Sequence, residues 1–377
     1  MSLDPFRVVL IGADSLLLEC GDVLVDKGHA ITAVVSDAAR VRDWASRRGL
    51  RVLALQDYAH TLQDDPFDYL FAITHLALIP ESVLALPRRA AINFHDGPLP
   101  RYAGLNAPAW ALMHGETSYG ISWHEIRGGI DEGDILKQRV FEVAPGETSL
   151  SLNTRNFAAA IESFSELVDE LADNRVQRTP QDLEQRSYFG KYARPGAGAI
   201  LQFERPASEL VALVRGLDFG DYENPLALPK LWHRGEVLLV RAAEVGALDP
   251  GESPGCVVSV DDEAISIATS DGVLRILTVT RLGGAPLSLG AAASLLELEP
   301  GTQLDALSPL SAAEWTGRSE VFARAEAFWV ERLRGLEPAT LALAAAERAG
   351  GAVVSLPLRA AGALQDPQQL LAALAIY

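Results

Sequence analysis

The sequence predicts an α/β chain: a Rossmann-like, doubly wound, mostly parallel sheet, then a small β-barrel, then a partial α/β tail. Three observations predict it. From Phe6 to His95, apolar strand-like runs alternate with helical periods, the pattern of successive strand–helix units. One run ends in Asn93-x-His95 and opens at once into a Gly/Pro-rich loop. A buried strand delivers polar groups to its carboxyl end in this way, where open α/β sheets place their ligands. Beyond residue 230, short strand-like runs recur at regular spacing between Gly/Asp turns, as in a small barrel.

Phe6 to Gly12 reads as a buried first strand and Leu16 to Lys27 as a helix. Gly28 to Val35 is the next strand, Ala38 to Arg48 the next helix, and Arg51–Leu55 and Tyr69–Ile73 continue the alternation. The first turn is Gly12-Ala-Asp-Ser, not Gly-x-Gly-x-x-Gly, so a bound dinucleotide is not predicted. After the Asn93-x-His95 loop, Asn106 to His114 reads as a helix, followed by strand-like runs at Gly120–Ile126 and Ile135–Val143. Leu152, Phe157, Ile161, Phe164, Leu167 and Leu171 give Ser149–Ala172 a strong helical period. Pro180, Gly190, Pro195, Gly196 and Gly198 mark irregular chain. A short helix at Ala207–Leu217 precedes strands at 237–240, 256–260, 264–268 and 273–279. The tail has an amphipathic helical pattern over 313–334, a strand-like Ala352–Leu356, and a helix start at Asp366-Pro367-x-Gln369. It ends at Tyr377 inside that apolar pattern without a stop signal, which reads as a piece of a longer polypeptide. The predicted divisions are residues 1–190, 200–305 and 306–377.

Composition narrows the function. At 377 residues the chain can bury two or three cores. No apolar run reaches the ~18 residues of a membrane span, so no membrane partner is predicted. Met1–Pro5 lacks the basic and apolar regions of an export signal, and a cytoplasmic location is expected. Cys20 and Cys256 are far apart and outside ligand spacing, which predicts neither a disulfide framework nor a metal site. The net charge is -18. Residues 205–305 hold seven Lys and Arg against fifteen Asp and Glu, a balance of -8. Proteins that grip nucleic acid place cations against phosphates, so a nucleic-acid partner is not expected.

The residues with chemistry cluster in two stretches. Asn93 and His95 are two apart and share one side of an extended strand. Asn93 can donate through its amide, and the imidazole of His95 can take up or give a proton. Asp131 lies in the glycine-flanked run Gly128-Gly-Ile-Asp-Glu-Gly-Asp134. An amide donor, an imidazole and a carboxylate together suit acyl transfer. Asp134 is the rival carboxylate and reads as capping the turn before Ile135. His124, beside Trp123, reads as a packed or surface histidine. Asp96 faces away from His95 if the strand continues, which Gly97 leaves open. No Gly-x-Ser-x-Gly elbow is present, against a serine hydrolase.

Asn93-x-His95, Leu99-Pro-Arg-Tyr-x-Gly104, Gly115-Glu-Thr-x-x-Gly-Ile-Ser-Trp-His124 and Ile130-Asp-x-Gly-Asp-Ile135 resemble, in order and spacing, the formyltetrahydrofolate-dependent formyltransferases. That family includes methionyl-tRNA and amino-sugar formyltransferases. The resemblance covers residues 6 to 180, and, less specifically, the second domain resembles the family's oligonucleotide-fold-like barrel. It implies 10-formyltetrahydrofolate as co-substrate and Asn93, His95 and Asp131 as the catalytic set. It also implies a pterin site against Ala77, Leu78 and Ile79, with Arg127, Gly128, Gly129 and Ile130 on the opposing wall. The chain departs from the family at Asp96-Gly97, where many members have a small residue and Ser, and at Ala103, where Arg is common.

These departures leave the amine acceptor open: an amino sugar on a nucleotide, a carrier-tethered aminoacyl group, a free amino acid, or tRNA. The family's second domain helps hold tRNA in the tRNA enzymes, and here that domain is acidic. The tail from Phe328-Trp-Val-Glu-Arg-Leu333 onward resembles the opening of a nonribosomal-peptide-synthetase condensation domain. That tail points to an assembly-line acceptor. The other readings are a formyltetrahydrofolate hydrolase and a non-catalytic folate-binding or docking module.

Overall fold

The structure is a computed structural model, and it describes residues 5–247 and 251–334. The first part runs β1 (Arg7–Gly12), α1 (Asp14–Asp26), β2 (Ala30–Val35), α2 (Ala39–Arg47), β3 (Val52–Leu53), α3 (Tyr58–Thr61), β4 (Tyr69–Ile73), α4 (Glu81–Leu84) and β5 (Ala90–His95). It continues through β6 (Ala103–Gly104), α5 (Ala107–Met113), β7 (Ser118–Glu125), β8 (Ile135–Glu142), α6 (Ser149–Ala172) and β9 (Tyr188–Phe189). Seven strands form one sheet in the order β3-β2-β1-β4-β5-β7-β8. The first five are parallel, and β7 and β8 add on antiparallel.

The central strands are apolar on both faces because both faces are covered. On one side Leu10, Phe71, Ile92 and Trp123 pack with Leu16, Leu17, Phe164 and Leu167 of α1 and α6. On the other, Val9, Ile11, Leu70 and Ala72 meet Tyr58, Leu62, Phe67 and Val83. The strand order reverses between β1 and β4, and the two strands there touch closely. Gly12 has φ +145, and a Cβ on it would lie 1.8 Å from the Ile73 carbonyl oxygen.

α6 begins where the sequence predicts, because Thr148 accepts from the Ser151 amide while the Ser151 hydroxyl accepts from the Thr148 amide. Its period buries Leu152, Phe164, Leu167 and Leu171.

The second part runs α7 (Ala207–Gly216), β10 (Lys230–His233), β11 (Glu236–Val245), β12 (Val257–Val260), β13 (Ile265–Ala268), β14 (Val273–Thr280), β15 (Pro286–Leu287) and α8 (Leu289–Leu296). The barrel expected here is an antiparallel half-barrel in the order β10-β11-β14-β13-β12, with β15 on β14. β10, β15 and α8 are additions to the elements read from sequence. The hydrophobic core of this part is continuous with the first: Tyr102, Trp110, Met113 and Tyr119 pack in one cluster with Leu210, Leu231, Leu238, Val257 and Leu274.

α9 (Pro309–Leu333) begins four residues before the predicted helix. None of its residues is buried. Within the unit that ends at Ala327, Leu310, Val321 and Phe322 are exposed; within the unit that starts at Phe328, Phe328, Trp329 and Leu333 are exposed. The predicted strand at 352–356 and the helix start at Asp366 lie outside the described residues.

Candidate functional site

The site grows from the end of β5. Asn93 and His95 share one side of that strand, and the antiparallel partner β7 sets His124 opposite Asn93 and Ser122 opposite His95. The Asn93 amide Nδ2 lies 3.1 Å from His124 Nε2. His124 Nδ1 lies 2.9 Å from the Glu125 carbonyl oxygen. A carbonyl accepts only, so Nδ1 carries the proton, and in the neutral ring Nε2 accepts from Asn93. One N–H of Asn93 then remains for a further acceptor.

His95 is buried. Its Nε2 donates to the Tyr102 carbonyl at 2.8 Å, so Nδ1 is the nitrogen that faces the carboxylates. Asp131 Oδ2 stands 3.7 Å and Asp96 Oδ1 3.9 Å from it. The other oxygen of Asp131 stands 3.4 Å from His124 Nε2. Asp131 thus bridges the two imidazoles, and Asn93 joins the group through His124.

Asp131 reaches this place on a pinned loop. It has a left-handed backbone, φ +56, which Asp tolerates better than most residues. Gly104 donates its amide to Oδ2 at 2.8 Å. Gln181 Nε2 donates to the carbonyls of Asp131 and Gly133, and Arg186 to that of Ile130. Gly133 is required by space, since a Cβ there would lie 1.8 Å from the Glu125 carbonyl oxygen.

The loop after β5 is held as firmly. Ser122 Oγ donates to the Gly97 carbonyl and accepts from the Leu99 amide and Gln138. Tyr119 and Asn156 both donate to the Asp96 carbonyl.

The two carboxylates beside His95 differ. Burial opposes ionisation of Asp131, yet the His95 charge, the His124 contact and the Gly104 amide outweigh it and hold its carboxyl well below the usual range. Burial, opposed by the nearby His95 charge and reinforced by Asp131, pushes the Asp96 carboxyl up.

The structure brings Asn93, His95 and Asp131 into one cluster. It adds two residues that the sequence reading set aside. His124, read as packed or surface, is buried and touches both Asn93 and Asp131; Asp96 turns toward His95 because the strand ends there and the chain bends at Gly97. The cross-strand register that selects His124 is a tertiary fact with no signal in the local sequence. Asp134 enters through its backbone, its carbonyl accepting the Glu125 amide. Ala77 and Leu78 are exposed on the loop that leaves β4, whereas Ile79 is half-buried against the core. Arg127, Gly128, Gly129 and Ile130 are exposed, and Arg127 pairs with the buried Glu125 at 2.8 Å.

Residues 24–168 match the family described as formyl transferase, and residues 197–294 match the formyl transferase C-terminal domain. A methionyl-tRNA formyltransferase of Chromohalobacter salexigens is 29% identical over 303 residues, 75% of this chain and 91% of that protein. The N-formyltransferase of Helicobacter canadensis, solved with folinic acid and dTDP-3-aminofucose, shares the fold at TM-score 0.60 and 15% identity, covering 73% of this chain and all of that one. HypX of Aquifex aeolicus, solved with tetrahydrofolic acid, matches at TM-score 0.52 and 20% identity over 81% of this chain and 49% of that one. With both domains matched in chain order and a half-barrel behind a Rossmann-like sheet, the chain belongs to the formyl transferase family.

Proposed function

We propose that this formyltransferase moves the formyl group of 10-formyltetrahydrofolate to an amine, with Asn93, His95 and Asp131 as the catalytic set. The observation that carries the reading is the Asp131 carboxylate, 3.7 Å from His95 and 3.4 Å from His124, with Asn93 on His124. As the amine adds to the formyl carbon, negative charge grows on the formyl oxygen. The free N–H of Asn93 and a protonated His95 donate to that oxygen, the work of an oxyanion hole. His95 then passes a proton toward N10 as the carbon–nitrogen bond breaks. Asp131, held ionised, stabilises the imidazolium. Ala77, Leu78 and Ile79 on one loop and Arg127 to Ile130 on another hold the pterin. Leu78 and Ile130, 80% and 42% exposed, supply the apolar surface that a flat ring system covers.

The acceptor we propose is a carrier-protein-tethered amine in a nonribosomal peptide or hybrid assembly line, in the cytoplasm. The tail sequence beginning Phe328-Trp-Val-Glu-Arg-Leu333 supports it, and the balance of -8 over residues 205–305 weighs against a phosphate-rich tRNA. A nucleotide-linked amino sugar is the alternative, and the same charge weighs against it less. Formyl transfer from 10-formyltetrahydrofolate to an aminoacyl carrier protein, a nucleotide amino sugar, a free amino acid and charged tRNA, read by mass spectrometry, tests the reading. Formylated aminoacyl carrier is the expected product. Efficient formylation of tRNA overturns the acceptor, and formate without any formylated amine makes the protein a hydrolase.

A further inference from the structure

Two carboxylates flank one nitrogen of His95, and the proposed chemistry uses only Asp131. Asp131 is poorly suited to accept a proton. It receives the Gly104 amide and lies against the imidazoles of His95 and His124. The amide donor and a charged imidazole beside it both favour its ionised form, so protonating it would give up those contacts. Asp96 is built the other way. Its backbone is fixed by Tyr119 and Asn156, which both donate to its carbonyl. Its carboxylate stands 3.9 Å from His95 Nδ1 and its side chain is 31% exposed; among the described residues the side-chain hydrogen bonds to Asp96 go to its backbone carbonyl, not to its carboxylate. Burial raises its proton affinity. A pair of carboxylates whose surroundings push their affinities apart divides into a fixed charge and a proton acceptor.

We propose that Asp96 binds the incoming acceptor as an ammonium and takes its proton, so that this site is adapted to basic amines that arrive charged. The proposal rests on the formyl-transfer reading above. An amine in its ammonium form has no lone pair with which to attack. Asp96 removes one proton and frees the pair, and the nitrogen then bonds to the formyl carbon. A second N–H proton leaves the new amide nitrogen for N10 by way of His95 as the carbon–N10 bond breaks. The proton on Asp96 leaves through its exposed edge to solvent. The sum is an ammonium and a formylated folate giving a formamide, tetrahydrofolate and one released proton, with no oxidant or reductant needed.

The test is release of tetrahydrofolate from 10-formyltetrahydrofolate near neutral pH with two small nucleophiles, methylamine, which is protonated there, and hydroxylamine, which is neutral. Asp96→Asn is expected to lower kcat/KM by about 10²-fold with methylamine, the scale of a lost general base. With hydroxylamine the loss is expected to stay within a few-fold. Asp96→Glu should recover part of the methylamine rate. Binding of 5-formyltetrahydrofolate, followed by fluorescence, shows that each variant retains its fold. Equal losses with both nucleophiles, or no loss with methylamine, overturn the role of Asp96 alone. A wild-type protein that releases tetrahydrofolate with neither nucleophile overturns the functional reading with it.

Discussion

His95 Nε2 donates to the Tyr102 carbonyl, which turns Nδ1 toward the two carboxylates. His95→Ala removes the group proposed to donate to the formyl oxygen and to relay a proton to N10. Turnover in the formyl-transfer assay should fall by about 10²-fold or more. His124→Phe keeps an aromatic ring but leaves Asn93 without its partner and Asp131 with one imidazole instead of two. A loss of roughly 10-fold in kcat is expected, smaller than for His95 because this ring acts through its neighbours.

The carboxylates also predict opposite pH dependences of stability. The Asp131 carboxyl is held below its unfolded value, so its contribution is present above about pH 4 and is lost as pH falls through the folded value. The Asp96 carboxyl is raised, so its contribution is present below about pH 4 and is lost as pH rises through the folded value. Urea unfolding against pH should therefore show Asp131→Asn losing its deficit, relative to wild type, as the solution is acidified. Asp96→Asn should gain stability relative to wild type as pH rises. Parallel profiles for the two variants would contradict this assignment.

At the scale of elements, the loop between β7 and β8 carries the Asp131 carboxylate, and Gly133 sets how closely it lies on the strand. Gly133→Ala places a methyl group 1.8 Å from the Glu125 carbonyl oxygen, and backbone cannot rotate away as a side chain can. The loop must lift, moving Asp131 from both imidazoles. Thermal or urea unfolding should show a loss of about 1–3 kcal/mol, with turnover falling further than stability alone explains. α6 offers a contrasting case, because its capping box lies far from the chemistry. Thr148→Ala removes the acceptor for the Ser151 amide and should cost about 1 kcal/mol with kcat unchanged.

At the scale of the whole molecule, the half-barrel shares a core with the Rossmann-like part and folds with it. α5 and α7 pack together, and Trp110 and Met113 share a core with Leu213, Leu238 and Val240. Residues 5–247 and 251–327 should therefore unfold in one transition. Single-tryptophan variants that retain Trp44 or Trp232 should give coincident urea midpoints; separated midpoints would show two independent domains. The acidic surface acts at the same scale, since a net charge of -18 slows encounter with polyanions and does so most at low salt.

Much of this molecule is written locally. Alternating apolar runs and helical periods determined the α/β class, and the limits of α6 follow from Thr148, Ser151 and its repeating leucines. The strand ending in Asn93 and His95 was legible because a same-side pair needs only the two-residue repeat of an extended chain. The four ordered motifs then pointed to Asp131. Only the tertiary structure decided which histidine faces Asn93, because register across β5 and β7 depends on how separate strands align. Only the bend after His95 decided that Asp96 turns back toward the imidazole. The differing proton affinities of Asp96 and Asp131 were decided there as well. They depend on burial and on groups from separate strands and loops, His95, Gly104, His124 and the two carboxylates themselves, which only folding brings together.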